Sequence, residues 1–141
     1  MYLLDTNIVS ELRKVTSGKA HPNVSAWASQ ASLTTLFLSS ITILELETGV
    51  LLMERRDATQ GSLLRQWLTD RVLPAFHDRI LYVDTEVALI CAKLQIPSAR
   101  PYADSLIAAT ALVHRLTIVA RNAKDFATTG VPVFDPWQAQ T

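Results

Sequence analysis

One cysteine, Cys91, is all the thiol this chain carries. No intrachain disulfide can form, which fits a reducing cytoplasm. Cys91 falls in an apolar helical pattern with Val87, Ala88, Ile90 and Leu94, the setting of a small core residue and not of a nucleophile. An excess of charge is missing too. Lys+Arg and Asp+Glu both number 13, so the formal net charge is zero. That argues against gripping long nucleic acid by bulk charge alone, while leaving room for a local basic rim around an acidic site. No apolar run is long enough to span a bilayer. The opening Met1-Tyr2-Leu3-Leu4-Asp5 has no basic start and meets a charge too early for a signal peptide, so a cytoplasmic location is expected. His21, His77 and His114 stand alone, without metal-ligand spacing. Walker loops, dinucleotide fingerprints and nucleophile elbows are absent. So are internal repeats, low-complexity tracts and linkers.

What remains is a globular composition. Hydrophobic residues make up 49% of 141 and charged residues 18%, which excludes disorder and predicts one domain over 1–141 with a core of its own. Residues 1–5 read as a short buried strand, and 6–14 as a helix with Ile8, Val9 and Leu12 on one side. Residues 16–23 read as a loop, and Val24 to Gln30 as a short helix. A second strand is expected at 35–39. A long helix then opens at Ser40 or Thr42 and ends near Arg55-Arg56-Asp57. Leu63, Leu64, Trp67, Leu68, Val72 and Leu73 give a helix over about 59–75. A third strand at 80–83 precedes a helix from Thr85 to Gln95. Pro101 suits the first turn of the next helix, which carries Leu106, Ile107, Ala109, Thr110 and Val113. Strands follow at 116–120 and 131–134, the last at an edge because of Pro132. Alternating strands and helices predict an α/β fold with a mainly parallel sheet.

Four acids stand out against this frame. They are Asp5 in Leu4-Asp5-Thr6-Asn7, Glu45 in Ile43-Leu44-Glu45-Leu46, Asp104 in Ala103-Asp104-Ser105-Leu106, and Asp125 in Asn122-Ala123-Lys124-Asp125-Phe126. Each lies in an apolar stretch near an element's end, where a carboxylate is unusual unless its charge is offset. In open parallel sheets, ligands bind beyond the carboxyl ends of the strands. Asp5 ends the first strand, and Asn122 and Asp125 follow the fourth. Gathered together, the four acids would make an oxygen-rich pocket for hard divalent cations, the chemistry of phosphoryl transfer by an activated water.

Each acid also has a purely structural reading. Asp5 can cap the helix that opens with Thr6. Thr42-Ile43-Leu44-Glu45 matches a capping box, and Asn122 to Asp125 has the same spacing. Asp104, in a first turn, suits the helix dipole. Glu47, two residues from Glu45, faces elsewhere on a helix and is expected in solvent. Arg13-Lys14 and Arg55-Arg56 read as helix-end charges or phosphate contacts, and Trp67 as core or a packing seam.

The order and context of these motifs resemble the PIN-domain ribonucleases, in particular the VapC/FitB-like toxins of bacterial type II toxin–antitoxin modules. Leu4-Asp5-Thr6-Asn7 is similar to the family's opening motif, Ser39 through Val50 to its second, Ala103 through Ala111 to its third, and Ala120 through Phe126 to its fourth. Val133-Phe134-Asp135-Pro136-Trp137 looks like the FitB-like branch. The resemblance covers almost the whole chain. It implies an α/β/α sandwich, a homodimer, Mg²⁺- or Mn²⁺-dependent cleavage of RNA, and inhibition by an antitoxin protein encoded alongside. Carried over by position, Asp5, Glu45 and Asp104 match the core acids. The fourth corner falls to Asp125 in many members and to Asn122 in others. Asp5 and Asp104 are the expected direct metal ligands, Glu45 a ligand or its support, and Thr6, Asn7 and Asn122 supporting residues. One departure is Ala120, where members often carry Thr or Ser. Two rival functions stand beside this one: a PIN-like module that binds RNA or protein without turnover, and a phosphatase. The aspartyl-nucleophile motif of phosphatases would want a second Asp where the chain has Asn7.

Overall fold

Leu3 and Leu4 are neighbours on the first strand, and both are fully buried, in two different cores. Successive strand residues point to opposite faces, so this sheet is covered on both sides. The computed structural model describes residues 1–139. It contains β1 (Tyr2–Leu4), α1 (Thr6–Leu12), α2 (Pro22–Gln30), β2 (Leu36–Ser39), α3 (Ser40–Arg56) and α4 (Ala58–Trp67). These are followed by β3 (Ile80–Leu81), α5 (Thr85–Leu94), α6 (Tyr102–His114), β4 (Thr117–Val119) and β5 (Val133–Phe134). The strands lie in the order β3-β2-β1-β4-β5 and every neighbouring pair is parallel.

One face carries α1, α2, α3 and the region after α4. There Ile8, Val9, Val24, Leu46, Val50, Leu68 and Val72 pack on Leu4, Leu36, Leu38 and Val119. The other face carries α6, whose Ile107, Ala108 and Ala111 meet Leu3, Ile118 and Ala120. Helix α5 packs outside α6 through Val87, Cys91 and Ala109, so Cys91 is a buried free thiol in a core. The result is a three-layer α/β/α sandwich with a parallel sheet, as expected.

Several boundaries differ from the sequence reading. Helix α2 starts inside the expected loop, at Pro22, because His21 caps it: its Nδ1 accepts from the Asn23 N–H. Pro101 is the N-cap of α6, not a first-turn residue. The 59–75 helix is interrupted by a π turn at Leu68–Val72, just before Pro74. Proline has no N–H for the carbonyl four residues earlier, which favours that widening. Strand β3 stops at Leu81, leaving Tyr82 and Val83 exposed.

The α3–α4 hairpin is tight. Asp57 alone separates the helices and caps α4. A Cβ on Gly61 would fall 2.5 Å from Glu54 Cα, so only glycine permits this crossing. Arg65 then clamps Glu47 with two 2.6 Å hydrogen bonds and reaches Glu54 at 3.1 Å. Glu47 reaches solvent, as expected, and it is also ion-paired to Arg65.

Candidate active site

Strand β1 lies between β2 and β4, and the chain's direction of progress across the sheet reverses at the β1/β4 boundary. Such a switch point opens a crevice at the strands' carboxyl ends. Asp5 leaves β1 there, its N–H bonded to Val119 O of β4 at 3.0 Å. Its side chain accepts from the Thr6 N–H at 2.8 Å and caps α1, so its structural role is real. Yet Asp5 is only 7% exposed. Its carboxyl is raised to about 6: burial is the largest cause, the Thr6 N–H lowers it, and the charges of Asp104, Glu45 and Asp125 add to the rise.

Asp104 sits in the first turn of α6. Its carboxyl is raised by burial and then by the charges of Asp125 and Glu45. The four acids named from the sequence thus share one electrostatic neighbourhood, although they come from four separate elements. Among the described residues none of the four is in an ion pair with Lys, Arg or His.

The supporting residues fall into distinct roles. The Thr6 hydroxyl donates to Glu45 Oε1 at 2.6 Å and stands 3.3 Å from Thr42 Oγ1. Glu45 is therefore not the acid of a capping box. Ser39 caps α3 instead, accepting from the Ile41 N–H, and Thr42 is fully buried within the helix. Asn122 does cap: its Oδ1 accepts from the Lys124 N–H, starting the 3-10 turn Ala123–Phe126. Its amide also donates to Asp125 Oδ1 at 3.2 Å, orienting that carboxylate. Asn7 is exposed in the first turn of α1.

The sequence reading missed Arg100. Its guanidinium donates to Leu94 O at 3.0 Å, to Ala127 O at 2.7 Å and to Thr128 Oγ1. Its backbone N–H donates to Gln95 Oε1 at 2.8 Å, and Gln95 Nε2 donates to Ser105 Oγ at 2.7 Å. This network ties the start of α6, which carries Asp104, to the segment just after Asp125. Thr128 is held at φ +65°, a conformation uncommon for a residue with a Cβ. An arginine three residues before the start of a motif carries no sequence signal of such a role.

Among the described residues, no three His, Cys, Asp or Glu side chains are placed to chelate a metal on their own. A small hard cation keeps several waters and takes one or two carboxylates directly. An uncompensated acid cluster around a buried Asp5 suits such an ion.

The PIN-domain model matches residues 2–131. The chain belongs to the PIN-domain family. This PIN domain is 36% identical to Toxin FitB of Neisseria gonorrhoeae over 97% of its length and 99% of the toxin's. It is 32% identical to a VapC ribonuclease of Sinorhizobium fredii, over 98% and 99% of the two chains. The crystal structure of FitAcB from Neisseria gonorrhoeae superposes on this PIN domain with a TM-score of 0.86 at 36% identity, covering 97% and 99%. Among the described residues no helix is long and apolar enough to cross a membrane.

Proposed function

We propose that this PIN domain, spanning 1–141, is a divalent-metal-dependent endoribonuclease acting as the toxin of a toxin–antitoxin pair. The observation that carries this is the shared electrostatic neighbourhood of Asp5, Glu45, Asp104 and Asp125, with no ion-paired basic partner among the described residues. The likeness to a VapC ribonuclease and to Toxin FitB supports RNA as substrate and a toxin's role. The family resemblance supports an antitoxin protein and a second copy of this chain as partners, in the cytoplasm.

Asp5 and Asp104 would hold Mg²⁺ or Mn²⁺, with Glu45 and Asp125 beside them. When bound, such an ion supplies an acidified water at neutral pH and positive charge against the phosphate. The chain's own groups do the rest. Thr6 fixes the Glu45 carboxylate through its hydroxyl, and Asn122 fixes Asp125. The cap on α1 holds Asp5 against rotation. Arg100 keeps the α6 start and the turn bearing Asp125 at a constant separation.

The test is cleavage of single-stranded and structured RNA by purified protein, with ends mapped. Activity with Mg²⁺ or Mn²⁺, abolished by EDTA and in Asp5→Asn and Asp104→Asn proteins that remain folded, is expected. Cleavage at the wild-type rate by either variant, or in EDTA, rules the mechanism out. Binding of RNA with no cleavage under any divalent cation would leave a binding module in its place.

A further inference from the structure

Arg13 closes α1, and by sequence it reads as a helix-end charge or a phosphate contact. The fold gives it a defined position. A cavity of about 220 Å³ is lined by Thr6 and Glu45 and also by Arg13 and Trp67, with Leu46, Val50 and Leu64 between the helices. Arg13 Cζ lies 6.0 Å from the centre of the Trp67 ring, at the outer limit of a cation–π contact. Although Arg13 and Glu45 line the same cavity, among the described residues Arg13 makes no ion pair with it or with any other acid. Its charge is left for an anion. A second cavity, of about 550 Å³, continues past the same Arg13–Trp67 pair to Arg71. Asp70 also borders this second space.

The two cavities together thus set Glu45, a guanidinium beside an indole and a second guanidinium along their walls. Cation plus aromatic plane is the combination that takes a single nucleic acid strand: the cation meets phosphate, and the ring meets a base's flat face. A strand whose phosphate lies at the acids must present its neighbouring phosphate and base a few ångströms away, which is where this cavity leads.

We propose that Arg13 and Trp67 form a nucleotide subsite adjoining the acid cluster, in which single-stranded RNA places a phosphate on Arg13 and a base against Trp67. This rests on the ribonuclease reading for its substrate. It also explains how a chain of zero net charge can hold RNA: the binding charge is local.

The test uses a fluorescent single-stranded oligouridylate and full-length protein carrying Asp5→Asn, in Mg²⁺. Arg13→Gln and Trp67→Leu, added singly, should each weaken binding about tenfold. Arg13→Gln should also flatten the salt dependence of log affinity by about 0.7, and the quenching of intrinsic fluorescence on binding should shrink with Trp67→Leu. In chains with Asp5 intact, each change should raise KM for RNA while kcat stays within about twofold. Trp67 also packs against the core, so Trp67→Leu is judged only after a melting curve; Arg13 is exposed and tests the proposal independently. Unchanged RNA affinity in Arg13→Gln would assign the cleft to a protein partner and overturn the proposal, as would no oligouridylate binding at all. If the subsite binds as expected and the intact chain still cuts nothing, the ribonuclease reading fails and the subsite stands.

Discussion

The Thr6 hydroxyl donates to Glu45 Oε1 at 2.6 Å, joining the first turn of α1 to α3 across 39 positions of sequence. With the 3.3 Å contact from the same hydroxyl to Thr42 Oγ1, it ties the first motif directly to the second. Thr6→Val keeps the side-chain shape and removes the donor. Glu45 should then lose its orientation, lowering cleavage about tenfold while stability changes by about 1 kcal/mol or less, the usual worth of one hydrogen bond. Thr6→Ser should restore the rate. Cleavage rates beside melting curves check this, and a Thr6→Val protein with full activity would remove the contact from the mechanism.

Glu45 and Glu47 belong to one helix and to different tasks. Glu45→Gln should cost most of the activity with little change in melting. Glu47→Gln should do the reverse, because Arg65 holds the Glu47 carboxylate below its ordinary range in an exposed clamp between α3 and α4. Exposed pairs contribute little, so only a small drop in melting temperature is expected. Equal losses of activity in the two variants would contradict the separation.

Metal-free protein should be less stable at neutral pH than its carboxylates would otherwise allow. The Asp5 carboxyl is raised from 3.8 to about 6 in the folded chain, with burial the largest cause. A raised acid means that the folded state holds a proton the unfolded state has already lost. Stability therefore falls as pH rises from about 4 to about 6 and levels off above that. The ceiling on this effect is about 3 kcal/mol. Glu11, lowered chiefly by the His21 N–H, works the other way at the acid end. Melting in EDTA across pH 4–8 should show wild type losing stability over that window relative to Asp5→Asn. Parallel curves would show that Asp5 is not buried as a charge.

Much of this was legible before any coordinates. The buried strand running into Asp5 and the alternation of elements fixed the layers, because periodicity reports which residues leave water. The acids stood out because apolar context makes a carboxylate costly. Their assembly was suggested by the strand-end rule and the family resemblance, not by periodicity: Asp125 acts on Asp104 because α6 lies against the turn after β4. The capping-box spacing at Thr42–Glu45 pointed to the wrong role for Glu45, since Ser39 opens α3 first and leaves Thr42 inside the helix. Spacing fixes which residues can meet along a helix, not where that helix begins. Arg100 and the Arg13–Trp67 pair depend on tertiary contacts alone, and helix-end arginines look alike in sequence.

The chain should be a homodimer or larger in solution. The helices expected at 24–30 and 59–75 carry more apolar side chains than a small sheet needs to cover. The structure uses many of these internally, since Trp27 meets Tyr2 and Phe134, and Leu68 and Val72 are buried. Large apolar side chains remain exposed on the α3–α4 hairpin, at Leu51, Leu52 and Leu63. Light scattering at micromolar concentration without antitoxin should give at least twice the chain mass. A monomer mass would refute it.

Asn122 and Asp125 sit together at the fourth corner, and their roles can be separated. Asn122 starts a 3-10 turn with its carbonyl oxygen and steadies Asp125 with its amide. Asp125 is exposed and adds its charge to Asp5 and Asp104. Asp125→Asn should therefore raise the Mg²⁺ concentration for half-maximal cleavage more than Asn122→Ala does, because only Asp125 offers a hard anionic oxygen. In EDTA the order should invert. Removing the Asp125 charge relieves repulsion, so that variant should melt no lower than wild type. Asn122→Ala loses a cap and should cost about 1 kcal/mol. An Asp125→Asn protein that melts lower in EDTA and cuts RNA with unchanged Mg²⁺ dependence would take Asp125 out of the site and leave it a helix-start acid.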